Sequence, residues 1–359
     1  MNIGLIGWGI ASGNGGMNTD IVSLSTAVTH WLIPEHPNGK NHQPYIDKAS
    51  QFAELSFVKL KGDHQKYNDF LDKIDALLYI EHPILKDEKD YDIVHEAKKK
   101  GKLVIGIPMW EWWPERKRWS FETDILWAVT KFTESYLNSL SDVLFAQGLK
   151  HNWRHHVIYN QWGVNLNDFS FQLKTKIKNI VFINGNGGYK LRKASDIVFE
   201  AFTKDGAPPL TIYTQKDNIA KYKITKNITI IDKTFPERGD VYKNGDLFLF
   251  PSYWEGLCHG IYEGQACGSL VLTTDHPPMN ECGTNYLLPV KEILQEDLAG
   301  KKIMKSKISA DDLYKAVKSL YNKNIEKESI DVRKHIENNY NLKLNLNTLI
   351  KKTMDILDD

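Results

Sequence analysis

Two apolar runs, residues 2–7 and 179–183, each break into a glycine-rich turn: Trp8-Gly-Ile-Ala-Ser-Gly-Asn-Gly-Gly16 and Asn184-Gly-Asn-Gly-Gly188. A strand that ends in glycines and hands over to a helix makes a turn that many α/β folds share, and the complete dinucleotide glycine fingerprint is lacking here. A chain with two such openings is constrained to two parallel-sheet units. The first helix is expected from near Met17 through Ile21, Leu24 and Ala27, and the second over residues 194–202. Apolar runs at 30–33, 76–80, 103–107, 124–129 and 156–159 predict the other strands of the first sheet. Runs at 210–213, 228–231, 247–250 and 270–273 predict those of the second, and 91–100 reads as a crossover helix with a basic end. The polar, lysine-bearing stretch 168–178 marks the boundary. It leaves a first domain at 1–168, a second at 178–340, and a tail at 341–359 whose apolar residues keep helical spacing.

The 359 residues suit two domains of ordinary size, and 42% hydrophobic against 25% charged residues excludes a disordered chain. A net charge of +1 neither requires nor excludes a polyanionic partner, so any such partner has to be argued from local patches. No run of about eighteen apolar residues predicts transmembrane anchoring. The start lacks a basic leader followed by a long apolar segment. Cys258, Cys267 and Cys282 form no close Cys-x-x-Cys pair, so a reduced, cytoplasmic setting is the expectation.

The segment richest in chemistry is Asp246-Leu-Phe-Leu-Phe-Pro-Ser-Tyr-Trp-Glu-Gly-Leu-Cys-His-Gly-Ile-Tyr-Glu-Gly-Gln-Ala-Cys-Gly268. A buried strand ends at Pro251, a tight turn carries Glu255-Gly256, and a helix is expected from near Leu257. The amides of Gly256 and Leu257 at such a helix start suit an anion. Glu255 and Glu263 stand eight positions apart, a little over two turns if helical geometry held between them, so both would address one ligand. Taken singly, each glutamate also reads as a solvated or capping charge.

The segment resembles the donor-site signature of family 4 retaining glycosyltransferases with the GT-B fold. The resemblance lies in Pro251-Ser252, the Glu255-Gly256 turn, Glu263, and the ending Ala266-Cys267-Gly268. Thr273-Thr-Asp-His-Pro-Pro-Met-Asn-Glu281 is similar to the family's next element. Val157-Ile-Tyr-Asn-Gln-Trp-Gly-Val-Asn165 is similar to its linker, and Lys193-Ala-Ser-Asp-Ile-Val-Phe-Glu-Ala-Phe202 to its helix entry. The resemblance is specific over residues 155–285 and general over the first half. It implies two facing Rossmann-like domains with a cleft between them, the last helix packing back on the first. It further implies a nucleotide sugar, UDP-sugar foremost, bound by the second domain, and a metal-independent transfer with retention and without a cofactor. Glu263 would bind the donor ribose, Glu255 the sugar hydroxyls, and Glu281 would close a loop beside them. Lys193 would hold the diphosphate with an arginine. The family's usual Gly-Arg is replaced here by Asn184-Gly185, so Arg192 or Lys190 is the candidate for that charge. Gly15 and Gly16 would face the donor phosphates, with Gly187 and Gly188 on the second turn; a plain tight turn is the alternative for the first loop.

Open α/β sheets place ligands at strand C-terminal ends. Two such ends in the first half are polar, Glu81-His82-Pro83 and Pro108-Met-Trp-Glu-Trp-Trp-Pro114. By the resemblance, His82 or Glu111 would stand near the reacting sugar. Trp110, Trp112 and Trp113 would form either a stacking wall for an acceptor or an aromatic plug between loops. Arg116-Lys-Arg118 and Lys150-His-Asn-Trp-Arg-His-His156 mix basic and aromatic residues, as phosphate contact with base stacking requires and as solvated surface often does. The acceptor would be a glycan, a lipid head group or DNA carrying a hydroxylated base. No His, Asp or Glu spacing suggests a metal site. The alternative to an enzyme is a catalytically silent nucleotide-sugar-binding protein on the same fold.

Overall fold

The structure, a computed structural model, describes residues 1–10, 12–35, 42–83, 91–114, 116–185, 192–214, 222–233, 235, 237–283, 286–298 and 300–358. The chain divides into two compact units, Met1–Trp162 with Leu342–Asp359, and Gly163–Asn341.

The first unit runs β1 (Ile3–Ile6), α1 (Gly13–Leu24), β2 (Val28–Pro34), α2 (Gln43–Ala49), β3 (Glu54–Val58), α3 (His64–Asp72) and β4 (Ala76–Ile80). It continues through α4 (Ile93–Lys99), β5 (Leu103–Ile107), α5 (Arg118–Glu122), β6 (Ile125–Ala128), α6 (Lys131–Ala146) and β7 (Val157–Tyr159). The seven strands pair in parallel in the order β3-β2-β1-β4-β5-β6-β7. Every residue of β1, β4 and β6 is buried, as expected for parallel strands covered on both faces. A late helix, α11 (Leu342–Asp358), belongs to this unit. It buries Leu342, Leu346 and Leu349, and the indole of Trp127 on β6 donates to Thr353 Oγ1 at 2.8 Å inside the core.

The second unit holds β8 (Ile180–Ile183), α7 (Ser195–Phe202), β9 (Leu210–Tyr213), β10 (Ile228–Ile231), β11 (Leu247–Phe250), α8 (His259–Ala266), β12 (Leu270–Thr274) and β13 (Tyr286–Leu288). After β14 (Glu292–Leu298) and β15 (Lys301–Lys307) come α9 (Ala310–Leu320) and α10 (Glu326–Asn339). Six strands form a parallel sheet in the order β10-β9-β8-β11-β12-β13. β14 and β15 form a separate antiparallel hairpin that the periodicity did not suggest. Its strands carry opposite charge, and Glu292–Lys307 and Glu296–Lys305 pair across it at 3.4 and 2.6 Å.

Two helix starts differ from expectation. α1 begins at Gly13 rather than near Met17, because Ser12 caps it by accepting from the Gly15 amide at 3.1 Å. The glycines are therefore its first turn. A Cβ on Gly15 would stand 2.0 Å from the carbonyl oxygen of Ile10, so this position admits nothing larger. α8 begins at His259, two residues later than expected, because Cys258 takes the left-handed conformation with φ 58° and turns the chain first.

Candidate functional site

In each sheet the strand order reverses once, between β1 and β4 and between β8 and β11. At such a point successive crossovers leave in opposite directions, and a crevice opens beyond the strand C-termini. The loops after β8 and β11 carry Arg192, Lys193 and residues 251–258; after β1 come Gly15 and Gly16 in the first turn of α1, and the loop after β4 carries His82. Among the described residues, the non-glycine positions with positive φ are Glu81, Ala194, Cys258 and Asn322, and the first three lie on these same loops. Backbone strain of this kind costs about 1–3 kcal/mol per residue and collects at working sites.

In the second unit the two loops meet on Glu255. Its carboxylate is buried, with 3% of the residue exposed. Lys193 Nζ and Ser252 Oγ both donate to its Oε1 at 2.7 Å, and Arg192 Nη1 stands 3.3 Å from its Oε2. Burial works to raise the Glu255 carboxyl, and the charges of Arg192 and Lys193 more than reverse this, so it is held below the ordinary glutamate value. Neighbouring bonds hold the loop from behind. Thr273 Oγ1 donates to the Phe250 carbonyl and Thr274 Oγ1 to that of Ser252, each at 2.7 Å. Asn184, at the end of β8, donates to Thr214 Oγ1 at 2.9 Å and accepts from Ser195 Oγ at 2.6 Å, which makes it a tie between strand and helix. Gly260 lets α8 lie against β11, since a Cβ there would meet the Phe250 ring at 2.6 Å.

Glu263 is served by a different group of partners. Arg238 donates to its Oε1 and Tyr242 Oη to its Oε2 at 2.6 Å, while His259 Nδ1 lies 3.4 Å from Oε1. The Nε2 of His259 is 2.9 Å from the Gly163 carbonyl, which only accepts, so Nε2 carries a proton and donates to it. Burial again opposes ionisation of Glu263, and Arg238 and His259 bring its carboxyl below the ordinary value. Burial, then the Glu263 charge, pushes the Tyr242 hydroxyl far up, so it remains a donor. The expectation of helical geometry from Glu255 to Glu263 fails, because Glu255 lies four residues before α8 and the Cys258 turn intervenes. Gly256 and Leu257 precede the helix as loop. The Leu257 carbonyl accepts from Cys282 Sγ at 3.5 Å, and the carbonyl of Glu281, on the turn Met279–Cys282, accepts from Tyr340 Oη at 2.9 Å.

In the first unit, His82 follows β4 and is exposed, while Glu111 is buried. Trp113 is fully buried and packs edge-on against Trp119 and Trp153 at 5.3 and 6.2 Å; Trp110 packs against Phe132 at 5.1 Å. These two form the aromatic plug, and of the three tryptophans only Trp112, 44% exposed, faces solvent. Arg116 donates to Gln147 at 3.0 Å, just past the end of α6. Because α6 runs back from the C-terminus of β6 to the lead-in of β7, Arg116 stands toward the strand-entry edge, opposite the crevice. Arg118 is held by Glu122 at 3.2 Å and by His95. Its charge is thus spent within the unit. Gly187, Gly188 and Lys190 lie outside the described residues. Among the described residues no cluster of His, Cys, Asp and Glu is arranged to hold a metal ion, and no helix is long and apolar enough to cross a membrane.

Sequence reasoning named Glu255, Lys193 and Arg192 but missed Arg238, Tyr242 and His259. His259 precedes Glu263 by one helical turn, the spacing at which side chains meet, and that signal was available. Arg238 and Tyr242 come from the turn Arg238–Tyr242, and only the fold brings it to α8.

Residues 213–339 match the family model for glycosyl transferases group 1. Comparison with curated protein sequences finds no match. Among solved structures, a glycosyltransferase from Rickettsia africae ESF-5 is similar at 14% identity and a TM-score of 0.68, over 100% of this chain and 99% of that one. The sucrose-phosphate synthase from Thermosynechococcus elongatus gives 10% and 0.62, over 100% and 99%. An E. coli trehalose-6-phosphate structure bound with UDP-2-fluoro glucose gives 10% and 0.60, over 98% of both chains.

Proposed function

We propose that this glycosyltransferase, a GT-B chain with a group 1 domain over residues 213–339, moves a sugar from a nucleotide diphosphate to an acceptor hydroxyl. The observation that carries the proposal is the meeting of Arg192, Lys193 and Glu255 at the point where the second sheet reverses its strand order, in front of α8. Two cations and a helix start suit a diphosphate, and an acid beside them suits sugar hydroxyls. On binding, the diphosphate takes over the cations that Glu255 now neutralises, and the carboxylate turns to the sugar. Stabilising the departing diphosphate charge in this way is the main source of rate. No side chain is assigned as a nucleophile, in keeping with front-face attack and retention, and no metal or cofactor is invoked. UDP is the favoured carrier, as in the similar structure that holds a UDP-sugar.

The acceptor is read as a glycan hydroxyl. Burial of Trp110 and Trp113 and the placement of Arg116 weaken the case for a flipped DNA base, which stays as one arm of the assay beside a lipid head group.

The test is a thermal-shift panel of nucleoside diphosphates and nucleotide sugars, followed by transfer of labelled sugar to glycan, lipid and modified-DNA acceptors. A ligand that binds the folded state raises the melting temperature with its concentration, and a flat response across the panel overturns the proposal. A second reading is a nucleotide-sugar-binding protein without turnover. It draws on Glu263, whose two oxygens already serve Arg238 and Tyr242 and are less open to a ribose. Tight binding with neither hydrolysis nor transfer would favour it.

A further inference from the structure

We propose that Tyr253 is a positioning residue for this site, acting through its hydrogen bond to Asp196 to set where Lys193 stands against Glu255. The inference rests on the function proposed above and adds a residue to it.

Tyr253 lies between Ser252, which donates to Glu255, and Glu255 itself, and it is tied in four directions. Its amide donates to the Arg192 carbonyl at 2.7 Å, and its carbonyl accepts from the Ser306 amide on β15 at 2.9 Å. Its hydroxyl donates to the Asp196 carboxylate, 2.8 and 2.9 Å from the two oxygens, and Lys305 Nζ stands 4.8 Å from the centre of its ring. The first and third of these ties fall on either side of Lys193: one grips the residue before it, the other a residue three positions after it. Between them sits Ala194, a non-glycine residue at φ 51°. That conformation is unfavourable for alanine and persists only where its flanks are held. Tyr253 holds both flanks, and it does so from the loop that presents Glu255. The Lys193 ammonium and the Glu255 carboxylate are therefore placed by one residue, through its amide on Arg192 and its hydroxyl on Asp196. Burial and the Asp196 charge push the Tyr253 hydroxyl far above its usual range, so it keeps its proton and remains the donor. The β14–β15 hairpin, fastened at Ser306, backs the same residue.

The experiment compares Tyr253→Phe, Asp196→Ala, their double variant and Asp196→Asn by calorimetric titration with UDP and UDP-glucose, with melting temperatures alongside. Tyr253→Phe keeps the ring and both backbone bonds. It should weaken UDP-glucose binding about fivefold, the worth of one net hydrogen bond. Asp196→Ala should match it, and the double variant should add nothing further. Asp196→Asn, whose amide oxygen still accepts from the hydroxyl, should stay within about twofold of the parent. Unchanged binding in Tyr253→Phe, or additive losses in the double variant, overturns the proposal. If the parent protein binds no nucleotide, the function is refuted and positioning is read by amide hydrogen exchange instead. Tyr253→Phe should then speed exchange over residues 192–196 and 252–256 while the rest of the unit is unchanged, and equal exchange there refutes Tyr253's role.

Discussion

Lys193 Nζ lies 2.7 Å from Glu255 Oε1, so the cation proposed for phosphate and the acid proposed for sugar neutralise each other in this structure. Removing Glu255 leaves Lys193 and Arg192 facing each other without their acid, whereas removing Lys193 still leaves Arg192 3.3 Å from the buried carboxylate. Glu255→Ala should cost about 3 kcal/mol of stability, as breaking a buried pair does, and should abolish donor use. In urea unfolding, the double variant with Lys193→Ala should lose less than the sum of the two single losses. Additive losses would show that the two groups do not depend on each other.

Glu255 and Glu263 both titrate below the ordinary glutamate value of 4.5. As pH falls the unfolded chain takes up these protons first. The stability the two carboxylates give is thus complete above pH 4.5 and is lost as pH drops from there through their depressed values. Urea midpoints against pH should hold level and then fall in that window, and Glu255→Gln should fall less steeply than the parent.

Trp112 and Trp113 are adjacent and should behave oppositely. Trp113→Ala empties a packed aromatic cluster and should cost about 3–5 kcal/mol. Trp112→Ala should leave the melting temperature within a degree or so and act, if at all, on the acceptor KM. Equal effects of the two on stability would contradict the burial described.

Gly15→Ala should destabilise the first unit by about 2 kcal/mol, since its methyl group meets the Ile10 carbonyl and the first turn of α1 has to shift. A stabilised variant, the ordinary result of glycine to alanine within a helix, would show that this close approach is absent.

Arg118→Ala, which breaks exposed contacts to Glu122 and His95, should change stability by less than about 1 kcal/mol. Arg116→Ala should leave transfer rates unchanged, and a loss of acceptor affinity would place the acceptor on this face after all.

Much of the fold could be read from the chain because parallel strands buried on both faces are written as short apolar runs. β4, β5, β9, β10 and β11 fall on the runs expected for them. Elements with one exposed face were harder: β3 mixes Glu54 and Ser56 with Leu55 and Phe57, and the β14–β15 hairpin mixes charged with apolar residues without a strict alternation. At the site, the family resemblance pointed to Lys193, Glu255 and either Arg192 or Lys190 as ligand contacts, yet no sequence pattern reveals that Lys193, Arg192 and Glu255 contact one another. Two partners of Glu263, Arg238 and Tyr242, come from a turn more than twenty residues earlier, and Tyr253 joins the two loops through an amide that any residue carries and a hydroxyl bond to Asp196. Three-dimensional closure, which sequence pattern does not encode, brings these together.

The return of α11 to the first unit makes that unit discontinuous in the chain. During synthesis, residues 1–162 emerge with β6 and β7 still lacking the helix whose Thr353 receives the Trp127 indole. The second unit is one continuous stretch, 163–341, whereas the first waits for the helix that follows that stretch, so the earlier-made unit cannot be complete before the end of the chain is free. Shortening the tail should accordingly injure the portion translated first and spare its neighbour.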